Sequence, residues 1–127
     1  MSAETHYCSE CGTSYNIEGH HIVSRKQCKP LEHCKRNITY LCAYHHRDNI
    51  RGVHSNKNLD KKYKLQFQNY LEMCLDKSYL TREEIKEVLG ISDKPLSNLL
   101  KTLILYKGLY KREDVIRQCM GGKLYGV

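Results

Sequence analysis

Two short motifs of metal-binding residues constrain this chain more than any other feature of its sequence. Cys8 and Cys11 form a Cys-x2-Cys motif, and Cys42 and His45 form a Cys-x2-His motif with the same spacing. Thiolates and an imidazole spaced in this way can bind one tetrahedral Zn²⁺, and sites closed by four protein ligands are structural. The two motifs flank a predicted strand hairpin, which favours one shared ion. We therefore predict a structural zinc site formed by these four residues.

The composition indicates why a chain of this size would need such a site. Hydrophobic residues make up 40% of its 127 residues, and the aromatic residues are ten Tyr and one Phe. A core with so little apolar bulk commonly needs a metal or a disulfide to stabilise it. The sequence has no apolar run of ~18 residues and no apolar N-terminal segment, so we expect a soluble protein without membrane span or signal peptide. Inside a cell the seven Cys would be reduced, which favours metal ligation over disulfides.

The remaining cysteines leave alternatives open. Cys28 and Cys34 could replace His45 as zinc ligands, although five residues separate them and the loop around them is basic. The Cys-x2-Cys motif could also be two unliganded thiols of a reduced protein. Cys74 and Cys119 stand alone in apolar patterns, so we predict that both are small core residues.

The hydrophobic pattern of the first half predicts an α+β fold. Residues 18–24 and Ile38–Cys42 are predicted strands, because β-branched and aromatic residues favour extended chain. After Gly52, apolar residues recur every three or four positions, which predicts an amphipathic helix over 56–76. The two strands and the helix form a small ββα unit, which we assign to a first domain of residues 1–76.

Residues 77–127 are predicted to form a second, helical domain. The segment beginning at Thr81 has Glu84 three residues on and ends at Gly90, which predicts a capping box and a helix end. A second helix follows in SDKPLSNLLKTL, and a last one is predicted at about 112–120. Two short helices joined by a tight turn resemble the helix-turn-helix of DNA-binding proteins. On this interpretation the residues that contact DNA are Lys94, Ser97, Asn98 and Lys101. The alternative is a helical bundle that only packs against the long helix.

A histidine doublet adds a second set of chemically active residues. His20 and His21 are followed by Ile22, Asn37 opens the second predicted strand, and His46 directly follows the Cys-x2-His motif. Together with the two zinc motifs, in this order, these elements resemble the HNH endonucleases, which have a ββα-metal (His-Me finger) fold. The resemblance covers residues 8–54. One departure is that many members have His-x3-His at the end, where this chain has Ile at position 50 and its next histidine at position 54.

The resemblance implies a catalytic site with one divalent ion. His21 would be the general base that takes a proton from the attacking water, and Asn37 would orient the base and its loop. The ordinary histidine pKa of ~6.5 suits both a base and a neutral metal ligand at physiological pH. The ion would be Mg²⁺, Mn²⁺, Ni²⁺ or Zn²⁺. Its implied ligands are His20, His46 and, as the third, His54 or Asn49.

The charge of the chain agrees with a nucleic-acid partner. Lys and Arg number 21 against 14 Asp and Glu, which gives a net charge of +7. The resemblance implies a metal-dependent DNA endonuclease of the phage or homing type, acting on double-stranded DNA as a monomer or homodimer. It would work in the cytoplasm, that of a bacterial host if phage-encoded. The alternative is a non-catalytic, zinc-stabilised helix-turn-helix regulator, and RNA stays open as a substrate.

Overall fold

An antiparallel hairpin forms the centre of the N-terminal half. The structure, a computed structural model, describes residues 4–126. Strand β1 (Ile17–His21) pairs with strand β2 (Ile38–Cys42). Strand β2 has the predicted bounds. Strand β1 begins one residue earlier than the predicted strand, residues 18–24, and it also ends three residues earlier.

The early end of β1 has a physical cause in the loop that follows it. His21 is the last paired residue and lies opposite Ile38. Two residues later, the backbone N–H and C=O of Val23 bond to the side chain of Asn37, at 2.8 and 2.9 Å. Because that side chain bonds both backbone polar groups of Val23, the chain can turn away from the sheet here and its backbone polar groups still have partners.

Two helices follow the hairpin. Helix α1 (Ala43–Arg47) is a short helix directly after β2, and no sequence pattern predicts it. Helix α2 (Lys57–Cys74) is the predicted long helix. The side chain of Asn56 caps α2 by accepting hydrogen bonds from the backbone N–H groups of its second and third residues, both at 3.1 Å.

The apolar stripe of α2 is buried along most of its length. Its buried members are Leu59, Tyr63, Phe67 and Leu71. Cys74, predicted to be a core residue, is exposed, so that prediction was wrong. Helical periodicity predicts the face of the helix on which a residue lies, but not how far along the helix other residues cover that face. Cys74 is the last residue of α2. The other lone cysteine, Cys119, is fully buried as predicted.

Three further helices confirm the helical prediction for the second half. They are α3 (Arg82–Leu89), α4 (Asp93–Leu100) and α5 (Arg112–Cys119). Thr81 and Glu84 form the predicted capping box at the start of α3. Gly90 ends α3 with a φ of +63°, a left-handed conformation that glycine adopts without strain.

A small sheet in the second half was not predicted. Strands β3 (Tyr79–Leu80), β4 (Leu105–Tyr106) and β5 (Leu109–Lys111) are antiparallel and lie in the order β3-β5-β4. Strands of two or three residues are too short for a recognisable alternation. Within residues 4–126 the chain thus has five α-helices and two small antiparallel sheets, and the predicted α+β class is confirmed.

The two predicted domains are in contact through buried residues. Helix α4 packs against a 3₁₀ turn at Lys29–Leu31, and α5 packs against α2. Arg112 donates hydrogen bonds to the backbone carbonyl oxygens of Leu75 and Glu72, at 2.5 and 2.6 Å. The start of α5 therefore satisfies orphan carbonyls at the end of α2. None of the helices in residues 4–126 combines the length and apolar character needed to cross a membrane.

The first testable prediction concerns this link between α2 and α5. Arg112→Ala should lower the free energy of unfolding by roughly 2–4 kcal/mol, because it removes two charge-assisted hydrogen bonds to half-buried carbonyls. Arg117→Ala is the matched control on the same helix, since its guanidinium only faces Glu113 at the surface, at 2.7 Å. That control should cost about 0.5 kcal/mol or less. Urea denaturation measures both, and equal losses would contradict the proposed role of Arg112.

Candidate functional site

Four metal-binding side chains meet at the open end of the hairpin. The ligand atoms of Cys8, Cys11, Cys42 and His45 all lie within 4.8 Å of one another. His45 Nδ1 is 3.6 Å from Cys8 Sγ and 3.3 Å from Cys42 Sγ, and the Sγ atoms of Cys11 and Cys42 are 3.9 Å apart. A tetrahedral zinc ion with bonds of ~2.3 Å to sulfur and ~2.0 Å to nitrogen separates its ligands by roughly 3.5–3.8 Å. This cluster, the zinc cluster below, can therefore hold a metal such as zinc.

A tight turn presents the first two ligands of the zinc cluster. The backbone N–H of Cys8 bonds to Thr13, and that of Gly12 bonds back to Cys8, at 2.8 and 2.9 Å. Ser9 in this turn bonds to the backbone of Tyr40 in β2, at 2.9 Å. Burial raises the pKa of the Cys8 thiol, but backbone hydrogen bonds outweigh it and lower that pKa to about 6. The thiolate, which is the form that binds metal, is thus favoured at neutral pH.

The alternative ligands Cys28 and Cys34 lie outside the zinc cluster. Both are buried, and burial raises the pKa of the Cys28 thiol to about 11. Burial also raises the pKa of Cys34. Such thiols stay protonated at neutral pH and pack as small apolar side chains.

Three histidines form a second cluster, which we call the histidine cluster. The ring nitrogens of His20, His46 and His54 lie within 4.8 Å of one another, with the Nε2 atoms of His46 and His54 only 2.9 Å apart. His20 is buried, and its Nε2 has no hydrogen-bond partner. A buried polar atom without a partner costs about 1–3 kcal/mol, so it needs an explanation. A divalent ion shared by the three imidazoles would supply the missing partner, and an all-imidazole donor set best fits ions such as Zn²⁺ or Ni²⁺.

A carboxylate behind the histidine cluster orients one of its rings. Glu18 Oε1 accepts a hydrogen bond from His46 Nδ1 at 2.9 Å and another from Arg47 at 2.9 Å. These contacts hold the pKa of Glu18 below its usual range. With its proton on Nδ1, His46 directs the lone pair of Nε2 towards the cluster. Glu18 was missed by the sequence analysis, although its position two residues before His20 in β1 places both on one face of the strand.

A turn after α1 brings the third histidine into the cluster. The backbone N–H of Gly52 bonds to Asp48, and that of Val53 bonds to His45, at 3.0 and 2.8 Å. A Cβ atom at Gly52 would lie 2.6 Å from backbone atoms of Asp48, so only glycine permits this turn. The turn leaves Ile50 79% exposed and carries His54 to the cluster.

The alternative third ligand has a different environment. Asn49 is exposed and is not among the residues that line the cleft around the histidine cluster. The structure therefore brings His54, and not Asn49, next to His20 and His46.

His21 lies beside the histidine cluster with one nitrogen free. Its Nε2 is 2.9 Å from the backbone carbonyl oxygen of Glu32, so Nε2 carries the proton and donates it to that oxygen. In the neutral ring Nδ1 is then unprotonated and can accept a proton. Because His21 is the last residue of β1, both members of the doublet line the same cleft although neighbours on a strand point to opposite faces.

Asn37 is fully buried and holds the loop behind His21 closed. Besides its two bonds to Val23, its side-chain amide donates to the carbonyl of Leu31 at 3.2 Å. Because it has no exposed surface, it cannot contact a ligand directly, and its hydrogen bonds hold together the loop that carries Glu32, the partner of His21.

The histidine cluster and His21 line a cleft of about 620 Å³, the histidine cleft. Four cationic side chains also line the cleft, Arg25, Lys26, Lys57 and Lys64, together with one carboxylate, Asp60. Lys64 is buried and donates to Asp60 at 2.9 Å. Burial, together with the nearby rings of His54 and His46, lowers the pKa of His20 to about 4. Asp60 and Lys64 were not predicted as site residues. They are four residues apart on α2, a spacing at which opposite charges on a helix commonly pair.

The predicted DNA-contacting residues are all exposed, three of them on α4 and Lys101 directly after its last residue. Lys94, Ser97, Asn98 and Lys101 are exposed, whereas the apolar residues of α4 are buried. The hydroxyl of Ser97 accepts a hydrogen bond from Arg82 at 2.8 Å, so it is already engaged within the protein.

Comparison with known proteins gives no family. No protein-family model matches the sequence, and no curated protein or solved structure matches it either. Any functional proposal therefore rests on the chemistry and geometry of the site.

The second testable prediction concerns the zinc cluster. Purified protein should retain zinc through dialysis, and Cys11→Ser should lose it together with a well-ordered N-terminal half, because structural zinc contributes ~10–16 kcal/mol in small domains. Cys74→Ser is the matched control, since Cys74 is also exposed but lies outside the cluster. Elemental analysis and near-ultraviolet circular dichroism measure the effects. Wild-type protein that holds no zinc after dialysis would contradict the prediction.

Proposed function

We propose that this protein is a metal-dependent DNA endonuclease of the HNH type that hydrolyses phosphodiester bonds. The single observation that carries the proposal is the arrangement of two adjacent histidines. The buried Nε2 of His20 lies in the histidine cluster without a hydrogen-bond partner, and His21 lies beside that cluster. One set of imidazoles is arranged so that it could bind a cation, and the adjacent imidazole lines the same cleft with its Nε2 bonded to Glu32, which leaves Nδ1 as the nitrogen that can accept a proton. The arrangement of β1, β2 and the following helices supports a ββα-metal unit for residues 1–76.

The proposed mechanism assigns a separate task to each side chain. His21 Nδ1 accepts a proton from a water molecule as its oxygen attacks the phosphorus, and the bond to the leaving 3′ oxygen breaks. His20, His46 and His54 would hold one divalent ion, Mg²⁺, Mn²⁺, Ni²⁺ or Zn²⁺, and that ion would supply positive charge to offset the negative charge on the phosphate and the leaving oxygen. The Glu32 carbonyl keeps His21 in the tautomer that can act as a base.

The cations of the histidine cleft favour a polyanionic substrate. Arg25, Lys26 and Lys57 line the cleft, where they can neutralise phosphates on either side of the scissile bond. The exposed polar face of α4 and the net charge of +7 further support duplex DNA as the partner. A free-standing nuclease of phage or homing type, working in the cytoplasm as a monomer or homodimer, remains our proposal for its biological setting.

One alternative shares part of the support. A non-catalytic regulator with a zinc-stabilised hairpin and a helix-turn-helix would need the zinc cluster and the exposed face of α4. It would have no need for His20, His21, His46 and His54 around one cleft. DNA binding without cleavage in any divalent metal would favour the regulator, and cleavage restricted to RNA would change the substrate.

The third testable prediction concerns the general base. Wild-type protein should convert supercoiled plasmid to relaxed or linear product in Mg²⁺, Mn²⁺ or Ni²⁺. His21→Ala should lower the rate by ~10²–10⁴-fold, the usual loss for a general base. Folding and zinc content should not change. His6→Ala is the control, because His6 stacks on Tyr40 outside the histidine cleft. Cleavage at the wild-type rate by His21→Ala would refute the assignment.

The fourth testable prediction concerns Glu18. Glu18→Gln should raise the divalent-metal concentration for half-maximal cleavage by ~10–100-fold, because the carboxylate that orients His46 is lost. The maximal rate at saturating metal should fall less than in His21→Ala. Glu113→Gln is the control, since Glu113 only pairs with Arg117 at the surface. An unchanged metal titration in Glu18→Gln would show that Glu18 does not contribute to metal binding.

A further inference from the structure

A second groove separates the two halves of the chain at the surface. It has a volume of about 490 Å³ and lies between the turn at residues 29–33 and α4. We call it the lysine groove. The side chains that matter here are Lys29, Pro30 and His33 on one wall, and Lys94, Pro95 and Lys101 on the other.

The lysine groove is cationic. Lys29, Lys94 and Lys101 form no ion pair with any residue in the described range 4–126. The one carboxylate in the wall, Glu32, lies 3.6 Å from Arg25 and 3.2 Å from His33. The guanidinium of Arg25 therefore offsets the charge of Glu32, and the three lysines have no acidic partner of their own among the described residues.

The shape of the groove suits a chain of phosphates joined by sugars. Two prolines and the aliphatic stems of the lysines give its walls apolar surface, while the ammonium groups carry the charge. A phosphodiester backbone alternates in the same way between charged phosphate and uncharged sugar, and lysines bind its phosphates without reading sequence.

The lysine groove is connected to the histidine cleft through one segment of chain. Arg25 and Lys26 line the cleft, and Lys29, three residues on, lines the groove. The backbone carbonyl of Glu32 in the same turn accepts the hydrogen bond from His21. Arg25, Lys26 and Lys29 therefore lie on the short segment that joins the cleft to the groove.

We propose that the lysine groove binds the phosphodiester backbone of duplex DNA next to the cleavage site. Lys29 from the first half and Lys94 and Lys101 from the second half hold the same stretch of backbone. This inference rests on the proposed function. It also changes the role expected for Lys94 and Lys101, which then contact phosphates and not base edges, so they contribute affinity without sequence preference.

The fifth testable prediction is the salt dependence of DNA binding. Fluorescence anisotropy with two unrelated 30-base-pair duplexes gives the dissociation constant of full-length protein over a range of salt concentrations. The buffer contains no added divalent metal, which limits cleavage, and no chelator, which would also remove structural zinc. Lys29→Gln should reduce the slope of log affinity against log salt by about 0.9, and Lys29→Gln/Lys94→Gln by roughly twice that, because each lysine releases one counterion. Both duplexes should be affected equally.

The control variant separates the groove from overall charge. Lys77→Gln removes the same charge from an exposed lysine whose ammonium group lies 2.6 Å from Glu84, outside the groove. Urea denaturation checks that all variants remain folded. If the groove variants behave like Lys77→Gln, the groove proposal is overturned while the proposed function stands. A loss confined to one duplex would also overturn it, since that would indicate base contacts. If wild-type protein neither binds nor cleaves duplex DNA, the proposed function itself fails.

Discussion

The rest of the N-terminal half depends on the convergence of the two Cys/His motifs at the open end of the hairpin. This convergence fixes the start of α1 against the turn that carries Cys8 and Cys11, and it does so through the ring of His45. His46 follows directly on the same short helix, where successive side chains point about 100° apart. A zinc ion that immobilises His45 therefore also fixes the direction of His46, which belongs to the histidine cluster. Structural and catalytic chemistry would then share one turn of helix.

Local backbone geometry also determines the positions of the other pair of adjacent histidines. His20 and His21 would point to opposite faces in the middle of a strand, and only one could reach the cleft. The hairpin ladder ends at His21, because Asn37 takes over the backbone of Val23. This local break lets His20 remain on the buried face while His21 turns towards the carbonyl of Glu32. The fully buried amide of Asn37 thus affects the position of His21 without contacting it.

The sequence was sufficient for those parts that depend on local pattern. Spacing identified the four members of the zinc cluster, the capping box of α3 and the long helix, because each signal lies within a few residues of chain. It was insufficient where distant segments meet. Glu18 matters only because α1 brings His46 to it, and the choice of His54 over Asn49 depends on the turn at Gly52. Cys74 was misplaced for the same reason, since its exposure depends on what covers the end of α2.

Contacts between the halves argue against treating the histidine cleft as independent of residues 77–127. Lys64 is buried beside the histidine cluster, and burying a lysine is costly unless its charge is compensated. Asp60 supplies the counter-charge, and the ring of Tyr125 lies 5.8 Å from the Lys64 ammonium. Gln68 holds that tail in place, because its amide bonds to both the N–H and the C=O of Tyr125 at 2.7 and 2.8 Å. The C-terminal tail therefore forms part of the surroundings of the histidine cleft, while α4 packs against the turn that leads to Glu32 and His21. Removing residues 77–127 would take away both supports at once, so the residues of the histidine cleft depend on the second half for their positions.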